Sequence, residues 1–236
     1  MQDSSKPGHT RRLRIFSANL LHGAADIEAL LDSLRTLRVD IAAFQESTRP
    51  HAEAIASVLP HGGLGPCGDR SLALALKHPA EISPVTQAGR NAEFARLDPE
   101  HWPGVHSPIE IITTHIRAPH LWPPWRTFPQ RRVQVNGLAA HIDATPTQPR
   151  LLIGDLNATP GWPAYRRLSG LLEDAAQQVA SRNQRQPEAT WSPRLSGSRL
   201  LRIDHALVGG LAVHDFSVVP VAGSDHAGIL IEVSLD

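Results

Sequence analysis

PRLLIGDLN, residues 149–157, is an apolar run that breaks off at Asp155 and Asn157. Leu151, Leu152 and Ile153 make it read as a buried strand, and Gly154, Asp155 and Asn157 are turn formers that end it. A carboxylate at that position is informative, because a buried, unpaired charge is costly and must be paired, metal-bound or open to a cleft. The same pattern recurs outward along the chain. LRIFSANL (13–20) ends at Asn19, VDIAAFQE (39–46) at Gln45 and Glu46, and IEIITTHI (109–116) at His115. AGILIEVSL (227–235) is preceded by Ser224, Asp225 and His226, and LLRIDHALV (200–208) carries Asp204 and His205 inside an apolar run. Each of these, taken singly, has an ordinary reading as a turn, a helix start or a paired strand-end residue. Taken together, strand ends opening on one edge of a sandwich would gather them into one site.

Between these strands the chain reads as helices and further strands. Ile27, Leu30, Leu31, Leu34 and Leu37 repeat with helical period, so residues 24–38 form an amphipathic helix. Residues 50–59 read as a short helix, SLALALK (71–77) and AEFARL (92–97) as strands, 130–142 as a helix, and 162–180 as two helical pieces around Gly170. APHLWPPWRTFP (118–129) has four prolines in twelve residues and is expected to be irregular. Gly209 and Gly210 are expected to turn LLRIDHALV into LAVHDFSVVP (211–220) as a hairpin. The sum is one α/β domain over residues 12–236, with two mixed β-sheets face to face and helices outside, after a disordered lead-in over residues 1–11.

Composition narrows the class. Hydrophobic residues are 41% of the 236, enough for a core. Lys plus Arg and Asp plus Glu are both 23, which argues against holding long nucleic acid through a global positive field. The single cysteine, Cys67, excludes an internal disulfide framework and a Cys-rich zinc site. No apolar run approaches the roughly 20 residues of a membrane span, and the N-terminal segment is polar, so a cytoplasmic monomer is expected. Of the thirteen histidines, His115 and His226 stand in motif positions and His22 and His120 near the expected cleft. His9, His51, His61, His78, His101, His106, His141 and His214 have no motif context and are expected at the surface. His205 is expected to point away from Asp204, as strand neighbours do.

SANLLHG (17–23), DIAAFQE (40–46), TTHIRAP (113–119), GDLNATP (154–160), RIDHALV (202–208) and GSDHAGI (223–229) occur in that order over nearly the whole chain. This ordered set resembles the endonuclease/exonuclease/phosphatase superfamily, and most of all its bacterial hydrolase-like members, where GDLNATP precedes an aromatic-and-Pro turn (here GWPAYRRL) and a TW pair (Thr190-Trp191) precedes the IDH strand. The resemblance implies the DNase I-like fold, a four-layer α/β/β/α sandwich. It implies Mg²⁺ or Mn²⁺ as cofactor, a hard cation suited to oxygen ligands, held by Glu46 with Asn19 and Asp225. It further implies Asp155 orienting or deprotonating the attacking water, Asn157 donating to phosphate or water, His226 on the phosphate oriented by Asp204, and His115 as a second phosphate contact and acid for the leaving oxygen. Whether Asp155 or His226 is the base stays open. Arg117, Trp122, Trp125 and Trp191 are substrate-contact candidates.

The chain departs from relatives in three places. Leu21 stands where abasic-site endonucleases have an acid, SLALALK lacks the acid that supports the first histidine of DNase I, and Tyr165 lies beyond GDLN rather than before it. The expected activity is hydrolysis of phosphodiester bonds by in-line water attack, foremost as a nuclease of low sequence specificity. The alternatives are a phosphatase or phospholipase-like hydrolase of small phosphate esters or lipid headgroups, and a catalytically silent binding module.

Overall fold

The computed structural model describes residues 11–64, 71–86, 88, 92–119, 124–193 and 198–235. In chain order it builds β1 (Leu13–Asn19), α1 (Ile27–Thr36), β2 (Ile41–Ser47), α2 (Arg49–Ile55), β3 (His61–Leu64) and β4 (Ser71–Leu76). There follow β5 (Glu81–Pro84), β6 (Ala92–Leu97), β7 (Ile109–His115), α3 (Pro124–Ala144), β8 (Arg150–Asp155) and α4 (Pro163–Ser169). Last come β9 (Glu173–Asp174), α5 (Ala175–Arg182), β10 (Asp204–Gly209), β11 (Ala212–Val219) and β12 (Gly228–Ser234).

Two six-stranded mixed sheets result, ordered β11-β12-β1-β2-β4-β3 and β5-β6-β7-β8-β10-β9. Alternate residues of the central strands face the partner sheet. Leu13, Ile15, Ile41, Ala43, Ile109, Ile111, Leu151, Ile153, Ala206 and Val208 form one apolar layer between the sheets. The opposite face of the first sheet is covered by α1 and α2 through Leu30, Leu31, Leu34 and Ile55. That of the second is covered by α3 and α4 through Val135, Leu138, Ile142 and Leu168. α5 is the exception to the layering: its Ala175, Ala176 and Val179 join the layer between the sheets.

Several expectations are corrected. β10 and β11 do not pair as a hairpin. β10 lies between β8 and β9 in one sheet, and β11 pairs β12 in the other, so Gly209 and Gly210 carry the chain across the sandwich. α3 starts at Pro124, inside the stretch expected to be irregular, and it contains Pro129. A helix leaves its first N–H groups unbonded, so proline is tolerated at its start, and Pro129 removes only one later donor. His51 is buried, its ring bonded to the Ala25 carbonyl at 2.9 Å and the Thr48 hydroxyl at 2.9 Å. Residues 1–10, Cys67, His120 and Trp122 lie outside the described residues; Arg11, the last of the expected lead-in, pairs with Asp40 at 2.6 Å.

Candidate active site

Two parallel strand pairs build the site. In β1–β2 Asn19 lies opposite Gln45, and in β7–β8 His115 lies opposite Asp155. Asp155 is also the antiparallel partner of Asp204. Strand partners share a face, so His115, Asp155 and Asp204 stand in one row at the end of the layer between the sheets. Gly154 makes the close approach of β7 and β8 possible. Its φ is +140°, and a Cβ built on it would sit 2.2 Å from the Thr114 carbonyl oxygen.

Glu46 reaches the same row by breaking the alternation. Ala42 and Phe44 face the helices, so regular pleating would send Glu46 that way too. Instead the β2–β4 register slips between Phe44 and Ser47, and Glu46 takes a left-handed φ of 55°. Its carboxylate then accepts from Asn19 Nδ2 at 3.3 Å and lies 3.7 Å from His115 Nε2. Asn157 is also left-handed, with φ 46°. Strained backbone of this kind persists where the surroundings over-determine it, commonly at functional sites.

The side chains form a continuous chain of contacts. Asn19 Nδ2 donates to both Glu46 Oε1 and, at 3.2 Å, Asp155 Oδ2. His115 Nε2 lies 3.5 Å from that same Asp155 oxygen. The Asn157 backbone N–H donates to Asp155 Oδ1 at 2.7 Å, and its Nδ2 donates to Asp155 Oδ2 at 3.0 Å and to the Ile116 carbonyl at 3.0 Å. Across the cleft, His226 Nδ1 is 2.9 Å from Asp204 Oδ2, which also accepts from the Thr190 hydroxyl at 2.6 Å. His226 Nε2 faces Asp155 Oδ2 at 3.9 Å. Trp191 Nε1 donates to Asp225 Oδ2 at 3.2 Å.

Burial and charge separate the protonation states. Burial disfavours charge on His226, but the Asp204 charge and hydrogen bond, aided by Asp155 and Asp225, raise its pKa to about 10. Burial and then the charge of Asp204 raise Asp155 to about 7, against the lowering pull of His226 and the hydrogen bonds from Asn157 and Asn19. Asp204 is pushed up by burial, yet the charge and hydrogen bond of His226 and the Thr190 hydroxyl hold it below the ordinary carboxylate value.

Nine of the expected residues, Asn19, Glu46, His115, Arg117, Asp155, Asn157, Trp191, Asp225 and His226, line one cleft of about 360 Å³. Asp204 sits behind His226, and the side chain of Trp125 lies outside the described residues. His22, expected at the rim, is in the cleft with Nδ1 3.0 Å from Glu46 Oε2. His205 does turn away from Asp204, bonding the Ala158 carbonyl at 2.8 Å.

Sequence reading missed Arg131 and Gln134 on α3. Arg131, buried, donates through one guanidinium nitrogen to the Arg117 carbonyl and through the other, at 3.1 Å, to the Asn157 carbonyl. Gln134 Oε1 accepts from the Arg117 N–H at 3.0 Å. Together they pin the loops that follow β7 and β8. Nothing in a polar residue on a helix signals such a contact. Trp162, Leu201 and Ile203, also unforeseen, line the cleft.

Two sets of atoms could hold an ion. The ligand atoms of Asp155, Asp204 and His226 all lie within 4.8 Å of one another and are buried. There an ion would contend with the hydrogen bonds that already engage Asp204 and His226. Asn19, Glu46 and Asp225 line the same cleft with oxygens of their own; those of Asn19 and Glu46 accept from the Leu21 and His22 N–H groups, whereas Asp225 Oδ1 is buried with no hydrogen-bond partner. A carboxylate oxygen left that way fits a hard divalent cation.

The model of the Endonuclease/Exonuclease/phosphatase family matches residues 16–226. No curated protein sequence matches the chain. Among solved structures, an endonuclease/exonuclease/phosphatase from Beutenbergia cavernae superposes with a TM-score of 0.73 at 18% identity, over 95% of this chain and 72% of that one. The human Nocturnin catalytic domain, solved with a bound sulfate anion, gives 0.70 at 19% identity over 95% of each chain. D. rerio TDP2, in complex with a single-strand DNA product, gives 0.71 at 14% identity over 94% of this chain and 99% of that one. These likenesses carry the fold, and the family model carries membership: the chain belongs to the endonuclease/exonuclease/phosphatase family of phosphoric ester hydrolases.

Proposed function

We propose that this protein hydrolyses phosphodiester bonds by in-line attack of water, with Mg²⁺ or Mn²⁺ held by Glu46, Asn19 and Asp225. The observation that carries the reading is the His226–Asp204 pair facing Asp155 across one cleft, with the unpartnered oxygen of Asp225 beside it. Bound there, the cation would supply Lewis-acid stabilisation of the charge that develops on the phosphoryl oxygens.

Asp155 is the group that takes the proton from the attacking water. A base with a pKa near the working pH is effective, and burial places Asp155 at about 7. Asn19 and Asn157 hold its carboxylate in a fixed orientation. His226, kept cationic by Asp204, contacts a phosphoryl oxygen and neutralises it. His115, on the far side of Asp155, donates to the leaving oxygen. With both Nδ2 hydrogens of Asn157 engaged, it acts first by orienting Asp155, and a direct contact with phosphate requires one of those bonds to open.

A nuclease of low sequence specificity fits this chemistry. A second reading, a hydrolase of small phosphate esters, is favoured by the lining of the cleft: Arg117 is its only Lys or Arg among the described residues. Enzymes that follow a polynucleotide backbone meet several phosphates with several cations. The test is a panel of plasmid, single-stranded DNA, RNA, bis-p-nitrophenyl phosphate and phosphoinositides with Mg²⁺ or Mn²⁺. Activity is expected to vanish with EDTA and in Glu46→Gln and His226→Ala. Turnover that survives any of these defeats the mechanism.

A further inference from the structure

The turn that links β1 to α1 runs left-handed through Leu21 (φ 49°), His22 (φ 52°) and Gly23 (φ 80°). Glycine takes this conformation freely, whereas leucine and histidine do not, so the surroundings must hold the turn. They hold it from two sides. Gly23 packs so closely on Thr48 that a Cβ there would sit 2.5 Å from Thr48 Cγ2. His51, bonded to the Thr48 hydroxyl, donates through Nε2 to the Ala25 carbonyl. From the other side, the Asp26 N–H donates to the Ala222 carbonyl at 2.8 Å.

The turn delivers its donors to the oxygens of Asn19 and Glu46. The Leu21 N–H donates to Asn19 Oδ1 at 3.0 Å. The His22 N–H donates to Glu46 Oε2 at 3.1 Å, and His22 Nδ1 lies 3.0 Å from that same oxygen. A carboxylate only accepts, so Nδ1 carries the proton and donates as well. One residue thereby engages both lone pairs of Oε2. The other oxygen, Oε1, faces Asn19 Nδ2 at 3.3 Å and His115 Nε2 at 3.7 Å. The His22 side chain is 59% exposed, so packing explains little of its placement.

We propose that His22 is a positioning residue that makes Glu46 a one-oxygen ligand and so weights the site toward Mg²⁺ or Mn²⁺ and against Ca²⁺. The inference rests on the reading of Glu46 as a cation ligand and deepens it. Mg²⁺ demands a near-ideal octahedron, keeps several waters and uses few carboxylates, whereas Ca²⁺ takes more oxygens in a looser arrangement and often both from one carboxylate. The backbone N–H of His22 alone would leave one lone pair of Oε2 open to a cation. The imidazole closes it, so Ca²⁺ gains a second oxygen from Glu46 only by displacing the ring.

The test measures cation binding to metal-stripped protein at a single pH. Free Mn²⁺ is followed by electron paramagnetic resonance while Mg²⁺ or Ca²⁺ competes. His22→Gly removes the ring and keeps the left-handed backbone, with His22→Ala as a second deletion; His22→Asn suits the same backbone and restores a side-chain N–H donor. In the deletions the ratio of Mg²⁺ to Ca²⁺ affinity is expected to fall about tenfold, the scale of losing a group that orients a metal ligand, and His22→Asn should recover most of it. Deletions that weaken both cations alike, that leave the ratio unchanged, or that His22→Asn fails to rescue overturn the proposal. Glu46→Gln separates the two readings. If it abolishes binding while the deletions keep the wild-type ratio, only the role of His22 fails. If it binds Mn²⁺ as the wild type does, the ligand assignment fails and the role of His22 falls with it.

Discussion

Asp204→Asn isolates what the buried dyad does. Asp204 is 2% exposed, and its charge and hydrogen bond are what overcome burial to hold His226 near pKa 10 instead of 6.5. A folded-state pKa above the unfolded value gives stability that is full below about pH 6.5 and lost as pH rises to about 10. At pH 7 roughly 3 of the pH units of that shift are felt, a gross contribution of about 4 kcal/mol. Two effects reduce the net loss in the variant. The imidazole, no longer paired, becomes neutral instead of remaining a buried lone cation, and Asp155 is freed from the like charge of Asp204. A net loss of about 2–3 kcal/mol is expected, which lowers Tm by about 4–12 °C in a chain of this size. The assay is thermal melting in EDTA from pH 6 to 10, with ¹H–¹³C NMR of the histidine ring. Wild-type stability should decline between pH 7 and 10 and the variant should not share that decline, while its His226 titrates below 7. Activity at saturating Mg²⁺ should fall about 10²-fold or more. A variant with wild-type Tm at pH 7, or two curves that fall in parallel from pH 7 to 10, would refute the assignment of the dyad.

Three further outcomes follow from particular contacts. Gly154→Ala must push β8 from β7, because its Cβ would meet the Thr114 carbonyl oxygen at 2.2 Å with φ +140°; it should lose about 2–4 kcal/mol in urea unfolding, whereas Gly161→Ala, with nothing within 4 Å of the added carbon, should melt like the wild type. Arg131→Met removes two donors from loop carbonyls, so kcat should fall about tenfold with KM little changed, and Arg131→Lys should recover part of the loss. Glu93, raised to about 7 by burial, has a buried oxygen without a partner. Its ionisation therefore weakens the fold as pH rises from about 4.5 through 7, and Glu93→Gln should match the wild-type Tm at pH 5 and exceed it at pH 8.

The long elements were legible because their signals are local. The apolar runs around Ile15, Phe44, Ile111 and Ile153 became the central strands, and the helical repeat at Leu30, Leu31 and Leu34 became α1. β3, β5 and β9, of four, four and two residues, carry no such run and exist because a neighbouring strand offers them an edge. His51, expected at the surface, is buried because its ring donates to the Ala25 carbonyl and pairs with the Thr48 hydroxyl, contacts invisible in composition that satisfy a polar ring in the interior.

By itself the sequence determined which residues could do chemistry. Asn19, Glu46, His115, Asp155 and the Asp225-His226 pair are polar where the strands run out, and their order in the chain carried the family. Tertiary structure alone decided how they meet. It opposed Asp155 to Asp204, sent β10 and β11 to different sheets, turned Glu46 inward through a bulge and closed Arg131 over two loops. Hydrophobic period and turn chemistry depend on a few neighbouring residues, whereas strand partnership, register slips and carbonyl clamps depend on which distant surfaces pack together.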